Sequence, residues 1–225
     1  MKTGISVVFA TLNRLEQLKK AVANIEAVSS GVNYELVICN GNSTDGTTEW
    51  LKEVSEDKKN IKVLECGDTG GCGKAFNAGF KAASYDQVLS FNDDAVFVGT
   101  FTDLLSEAVD HLIIPFGPED ELPRFMVTSP WGAGDYIRSY GNFALTRRSL
   151  GDKVGWWGPY CKHYGGDERL SAYLYEMNAN IKVSLKCRII HRVDHGPDCT
   201  PKYGAPFREI PLECCTLLLD EGGVQ

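Results

Sequence analysis

The stretch Val88-Leu89-Ser90-Phe91-Asn92-Asp93-Asp94-Ala95-Val96-Phe97 decides how this sequence is read. An apolar run of strand length ends in two adjacent carboxylates, and an apolar run resumes directly after them. A carboxylate at the end of a buried strand is costly unless something pairs with it. A hard divalent cation is a common partner for such oxygens. A polar turn that merely caps the strand is the other reading, and the neighbouring segments must choose between the two.

Upstream the pattern is regular. Ile5–Ala10 is apolar and β-branched and predicts a buried first strand. Thr11-Leu12-Asn13-Arg14 is a polar loop, with Asn13 the expected helix N-cap. Leu15, Leu18, Ala21, Val22 and Ile25 then recur at helical spacing, so a helix is predicted to Val28. Tyr34–Cys39 predicts a second strand, Asn40–Gly46 a polar loop, Thr47–Val54 a helix and Ile61–Leu64 a third strand. Gly67–Gly73 is glycine-rich, Lys74–Ala83 is helical in pattern, and the opening strand follows. Such alternation implies an α/β protein with a mostly parallel, Rossmann-like sheet and helices on both faces. Ligands of open α/β sheets bind beyond the carboxyl ends of the strands. Four loops sit at such ends, Thr11–Arg14, Asn40–Asp45, Gly67–Lys74 and Asn92–Asp94, and they argue for one site that holds a polyanion and a cation.

Downstream the pattern loosens. Phe101–Val109 predicts a short helix, Leu112–Pro115 a strand, Gly117–Leu122 an acidic loop, and Tyr140–Leu145 a strand entering Arg147-Arg148. Gly155–Tyr164 is dense in aromatics, including Trp156, Trp157 and Tyr160. Gly165-Gly166-Asp167-Glu168 leads into a helix over Arg169–Met177, and Ile181–Ile190 predicts a strand. Neither an internal repeat nor a linker interrupts the chain, so one globular unit is expected.

The totals narrow the classes. With 225 residues, 43% of them hydrophobic, the chain can build the core of one large α/β domain. Its apolar runs all fall short of the roughly 18 residues of a membrane span. Asn13 and Arg14 break the early apolar run, so a signal peptide is not read and a cytoplasmic protein is expected. Eight cysteines without a C-x-x-C pair fit free thiols in a reducing compartment. Cys161 with His163, and Cys214 with Cys215, lack zinc-site spacing. The net charge is -7, yet residues 124–210 hold 13 Lys and Arg against 8 Asp and Glu. Scattered solvated charge accounts for this, and so does an anionic partner met by that half.

Three enzyme classes are disfavoured by motif. Gly73-Lys74 lacks the P-loop pattern, because Asp68 stands where the first glycine belongs and Ala75 where Ser or Thr belongs. A G-x-G-x-x-G after the first strand is absent, against a nicotinamide enzyme. A G-x-S-x-G is absent, against an α/β-hydrolase.

Four motifs in order, Ile5–Arg14, Ser43-Thr44-Asp45-Gly46-Thr47, Lys74-Ala75-Phe76-Asn77-Ala78-Gly79 and Phe91-Asn92-Asp93-Asp94, resemble those of the family 2 glycosyltransferases, which have the GT-A fold. The resemblance covers roughly residues 3–195. It implies a nucleotide-diphosphate sugar donor, a UDP-sugar first, and transfer with inversion to an acceptor hydroxyl, dependent on Mn2+ or Mg2+. It divides the domain into a donor half, 1–98, an acceptor and catalytic half, 99–210, and a tail, 211–225. It implies that Thr11, Asn13 and Arg14 line the nucleotide pocket. Asn40 stands where the family usually has an Asp that reads the base, and Asp45 closes that loop. Lys74 is implied near the base or diphosphate. Asn92-Asp93-Asp94 resembles the DXD motif, with Asn92 toward the donor, Asp93 orienting the pair and Asp94 binding the metal. The family often adds a histidine ligand after a late strand, for which His191 is the best match and His195 the second.

For the acceptor hydroxyl, the resemblance implies Asp167 as base, with Glu168 next; Gly166 replaces the usual Glu and Arg169 a frequent Asp. N-capping of the following helix is the structural alternative for Asp167. Trp156, Trp157, Tyr160 and Arg147 are implied on the acceptor side, although two tryptophans also suit a core. The basic surplus of this half suggests an anionic acceptor, a glycan, a lipid phosphate or a nucleic acid. A non-catalytic nucleotide- or glycan-binding protein on the same fold stays open, and so, less well, does a nucleotidyltransferase.

Overall fold

Apolar strands alternating with amphipathic helices must stack their helices on a sheet to bury both. The computed structural model describes residues 2–67, 71–117, 119, 126–128, 136–138, 143–158 and 166–191, with the backbone alone for 126–128, 136–138 and Glu168. The first half runs β1 (Ile5–Thr11), α1 (Leu15–Val28), β2 (Tyr34–Asn40), α2 (Thr47–Asp57), β3 (Ile61–Glu65), α3 (Cys72–Ala82) and β4 (Gln87–Ser90). β1 lies between β2 and β4 and is parallel to both, and β3 extends the sheet beyond β2. Its unbroken apolar sequence follows from burial on both faces. Ile5, Val7 and Phe9 join Leu18, Ala21, Val22 and Ile25 of α1 in one core, while Val8 joins Phe76 and Phe80 of α3 in another. Gly79 permits α3 to lie this close, because a Cβ there would run into Val8 Cγ1 and Cys39 Sγ.

The second half supplies β5 (Val96–Val98), α4 (Phe101–Ser106), β6 (His111–Ile113), β7 (Phe116–Gly117), β8 (Met126–Thr128), β9 (Tyr136–Arg138) and β10 (Ala144–Arg147). It continues with α5 (Arg148–Val154), α6 (Gly166–Glu176), β11 (Ile181–Val183) and β12 (Arg188–Ile190). The central sheet has seven strands in the order β11-β6-β10-β4-β1-β2-β3. β10 is antiparallel to β4 and β6, and the remaining pairs are parallel. One sheet therefore draws on both halves of the chain. A small sheet, β5-β12-β7, lies beside it, and β8 pairs with β9.

The opening stretch divides at its carboxylates as read from the sequence: β4 stops at Ser90, and the apolar run that resumes at Val96 is β5 in the small sheet. Other expectations are revised. The strand expected over Tyr140–Leu145 is β10, which runs on through Arg147; Tyr140 lies outside the described residues. The run Ile181–Ile190 breaks in the middle because Glu107 intervenes. Its carboxylate accepts from the Ser184 hydroxyl, from Leu185 N at 3.0 Å and from Lys186 N at 3.3 Å. A side-chain acceptor of this kind offers the backbone an alternative to the sheet ladder. Among the described residues Cys39, Cys66, Cys72 and Cys187 are free thiols, and no helix is long and apolar enough to cross a membrane.

His111 on β6 is fully buried, with Nδ1 2.8 Å from Thr146 Oγ1 on β10. Burial disfavours the charged imidazolium and pushes the pKa down to about 4, from an ordinary 6.5. Between those values the unfolded chain takes up a proton that the fold does not. Stability therefore falls as the pH drops from about 6.5 toward about 4. Denaturant unfolding at pH 7.5 and pH 5 is expected to cost the native protein about 2 kcal/mol more than His111→Gln, which has no ring to titrate. Equal losses in both proteins would remove His111 from the account of acid sensitivity.

Candidate functional site

The carboxyl ends of β1, β2 and β4 lie side by side, and the loops leaving them meet. Thr11 ends β1, and its hydroxyl donates to Asp93 Oδ2 at 2.7 Å. The Arg14 guanidinium reaches Asp93 Oδ1 at 3.5 Å and donates to Asp94 Oδ2. His191 Nε2 lies 3.0 Å from Asp94 Oδ1. Topology explains its arrival from 97 residues away. β12 runs antiparallel to β5 with Ile190 opposite Val96, so the residue after one strand meets the residues before the other. His191 N donates to Gly117 O at 3.0 Å, which fixes the strand end.

The two aspartates are chemically distinct. Asp93 is buried, and desolvation pushes its carboxyl up to about 6 against the opposing pull of Thr11 and Arg14. Burial works against ionisation at Asp94 too. There the hydrogen bond and charge of His191, with those of Arg14, prevail and hold the carboxyl down at about 2. Asp94 is thus a committed anion whose side chain is 29% exposed, whereas Asp93 is turned inward as a brace. His191 Nδ1 is buried with no hydrogen-bond partner among the described residues.

A carboxylate oxygen and an imidazole nitrogen therefore converge on one point. Among the described residues no group of three or more His, Cys, Asp or Glu could enclose a metal. A cation here would take its remaining ligands from a diphosphate or from water, as small hard cations do. The donor set fits that group.

The second loop is braced from within. Asn40 is fully buried; its Nδ2 donates to Thr48 Oγ1 and to Glu65 Oε2, each at 2.9 Å, and its Oδ1 accepts from Ser43 N at 3.2 Å. An amide so committed shapes the loop, where the sequence suggested that it reads a base. Asn13 does not cap α1. It adopts a left-handed φ of 53°, and its Oδ1 accepts from Thr44 N at 2.7 Å. The cap comes from across the site, where Asp45 accepts from Leu15 N at 3.0 Å and from the Thr47 hydroxyl at 2.6 Å. Asn13 and Asp45 thus tie the first two loops into one wall. Lys74 is exposed on the first turn of α3, and Asn92 is half-buried at the loop entry.

Asp167 opens α6, as the sequence suggested. The thiol of Cys72, at the start of α3, is raised by burial and then by the charges of Asp167 and Asp93. Asp167 and Asp93 therefore both lie within electrostatic reach of Cys72. Gly166 has a steric reason, since a Cβ there would strike the Trp157 ring. Arg169 is a brace. It donates to Trp156 O at 2.6 Å and Val154 O at 3.3 Å, where a cation suits the carbonyl end of α5. Its presence near the helix start does not count against catalysis. The side chain of Glu168, and Tyr160 and His195, lie outside the described residues.

Two acceptor assignments are corrected. Trp156 and Trp157 are each 2% exposed. Trp156 stacks on Phe80 with centroids 4.5 Å apart, and Trp157 lies 4.6 Å from Phe76. They are core because α5 and α6 need apolar volume against α3, and neither presents a free ring face. Arg147 pairs in register with Gln87, the first residue of β4, so it lies at the end of the sheet away from Asp93 and Asp94. It forms an ion pair with Asp110 at 3.2 Å, and Arg148 donates to Ala83 O. These two cations of the basic half are thus engaged away from the site. Asn77 went unassigned in the sequence although it belongs to the Lys74–Gly79 motif. It ties α3 to the tryptophan turn, donating to Gly158 O at 2.8 Å and accepting from Trp157 N at 3.1 Å.

Comparison with known proteins bears on this geometry. Residues 6–112 match the family described as Glycosyl transferase family 2. A dolichol-phosphate mannosyltransferase of Pyrococcus furiosus is 33% identical over 90 residues, which are 40% of this chain and 25% of that protein. A poly-beta-1,6-N-acetyl-D-glucosamine synthase of Staphylococcus aureus is 30% identical over 93 residues, 41% of this chain and 22% of that one. The chain thus spans about a quarter of the length of these relatives. Among solved structures, S. aureus TarS 1-349 in complex with UDP-GlcNAc superposes with a TM-score of 0.65 at 19% identity, covering 92% of this chain and 62% of that one. The mannosyltransferase PcManGT of Pyrobaculum calidifontis, in complex with GDP-Man and Mn2+, gives 0.64 at 16% identity, covering 88% and 59%. The fold is the GT-A fold expected from the sequence.

Proposed function

We propose, since the stretch 6–112 matches glycosyl transferase family 2, that this chain takes a sugar from a nucleotide-diphosphate donor and passes it with inversion to an acceptor hydroxyl. One observation carries the reading: Thr11, Arg14, Asp93, Asp94 and His191, from three separate segments, are joined at the carboxyl ends of parallel strands. A committed anion and an imidazole at that point suit a divalent cation and, through it, a diphosphate.

Asp94 and His191 are the residues that would hold the cation. A mixed oxygen and nitrogen pair favours Mn2+ over Mg2+, which prefers oxygen alone. Bound there, the cation acts as a Lewis acid for the negative charge that grows on the departing nucleoside diphosphate. Arg14 is nearly half-exposed and long, so it is free to exchange its hold on Asp94 for donor phosphate oxygens. Asp93 keeps the Thr11 and Arg14 loop in register. The wall built from Asn13, Asn40 and Asp45 shapes the nucleoside end, and Lys74 adds a positive charge beside it. Asp167 takes the proton of the acceptor hydroxyl. A UDP-sugar is the first donor to test and a GDP-sugar the second, in line with the nucleotides held by TarS and PcManGT.

Thermal unfolding with UDP or GDP, with and without Mn2+, checks this reading. One nucleoside diphosphate is expected to raise the midpoint by several degrees, and only when Mn2+ is present. A midpoint indifferent to both nucleotides with the metal present would defeat it.

A further inference from the structure

A chain of buried polar groups leads from the middle of the central sheet to the first turn of α6. Thr146 Oγ1 lies 2.8 Å from His111 Nδ1, and His111 Nε2 lies 3.4 Å from Ser171 Oγ. The Ser171 hydroxyl donates to the carbonyl of Asp167 at 3.0 Å. His111 and Ser171 are fully buried and Thr146 is 2% exposed.

Proton counting gives the chain one direction. With the Ser171 hydrogen on the Asp167 carbonyl, Ser171 Oγ accepts from His111, Nε2 carries the imidazole hydrogen and Nδ1 is the acceptor. Thr146 donates to it. The order is Thr146 O–H to His111 Nδ1, His111 Nε2–H to Ser171 Oγ, and Ser171 O–H to the Asp167 carbonyl. Every hydrogen in the series has one assigned acceptor, and a buried series of this kind rigidifies what it touches.

Its end point matters. Asp167 lies in the first turn of α6, and its neighbour Gly166 rests on the Trp157 ring. Apolar packing sets how deep the helix start sits, because Gly166 leaves no slack against that ring. Packing does little to fix rotation about the helix axis; the contact from His111 Nε2 on β6 to Ser171 Oγ ties α6 to the sheet, and the Ser171 bond to the Asp167 carbonyl, within the helix, links that contact to the first turn.

We propose that Thr146, His111 and Ser171 are positioning residues for Asp167, holding the first turn of α6 so that its carboxylate meets the acceptor hydroxyl. The inference rests on Asp167 being the base. It assigns function to three buried polar residues far from the donor pocket in sequence.

Ser171→Ala removes one oxygen without enlarging the side chain, and Thr146→Val breaks the far end of the series at nearly constant volume. Each is expected to lower kcat about tenfold, as small misplacements of a reacting group do. Donor KM and the Kd for nucleoside diphosphate should stay within twofold of the native values, since the donor loops are untouched. Asp167→Asn is measured beside them. If it turns over at the native rate, the base assignment fails and this inference with it. If it is inactive while Ser171→Ala and Thr146→Val keep native kcat, the positioning role alone is overturned. A parallel loss of kcat and nucleotide affinity in Ser171→Ala would mark the series as structural support only, and would also overturn it. Circular dichroism melts of both variants identify any loss that is merely unfolding.

Discussion

Asp167→Asn is expected to lower sugar transfer about a thousandfold while leaving nucleoside-diphosphate affinity within about twofold, the range that a general base typically supplies. The reasoning is local. Asn keeps the shape of Asp at the second residue of α6, so the helix should form as before. What it cannot do is take a proton. The proposed donor pocket is built from other elements, with Thr11 ending β1, Asn40 ending β2 and Asp94 after β4, so binding there is separable from the lost step. Steady-state transfer and calorimetric nucleotide titration on one preparation check both halves of the statement. Near-native turnover would move the base elsewhere, with Glu168 the next carboxylate to test. A collapse of nucleotide affinity would mean that Asp167 supports the donor pocket.

Much of this was legible in the sequence, for physical reasons that can be named. β1 and β2 are buried on both faces, so their apolar runs stand out, and the stripe Leu18, Ala21, Val22, Ile25 marks α1 plainly. The polar loops between them advertise a site because so many polar groups gather at the carboxyl ends of neighbouring strands. The first half of the fold therefore reads almost directly, and Asp94 and His191 meet as their places in the sequence suggested. Tertiary partners were not legible. Glu107 breaks the run Ile181–Ile190 from 77 residues away, and Asp45 caps α1 in place of Asn13. Asn40 carries the residue type of a base reader, yet its bonds go to Thr48, Glu65 and Ser43. Trp156 and Trp157 offer the same aromatic signal whether they face a sugar or Phe80 and Phe76, and only packing distinguishes these. Arg147 adds to a local basic count, but the antiparallel register of β10 carries it to the far end of the sheet. Charge counted along a sequence is blind to strand direction.

Asp94→Asn should abolish the metal dependence of donor binding and lower transfer at least a hundredfold. Three features of Asp94 make it the pivot. It is the one partner of His191 Nε2 among the described residues, it takes the Arg14 guanidinium as well, and its carboxyl is held down at about 2 while that of Asp93 is pushed up to about 6. The Asn variant keeps the volume and loses the charge. Asp93 still bridges Thr11 and Arg14, so the loops should keep their arrangement. Loss of function would then be a loss of cation affinity, visible without any acceptor. Titration of Mn2+ into the protein with UDP present, followed by the electron paramagnetic resonance of the free ion, tests this most directly. The native protein is expected to take up one Mn2+ per chain, and Asp94→Asn to leave the ion free over the same range. Equal uptake by the two proteins would contradict the assignment of this strand-end aspartate as the centre of the site.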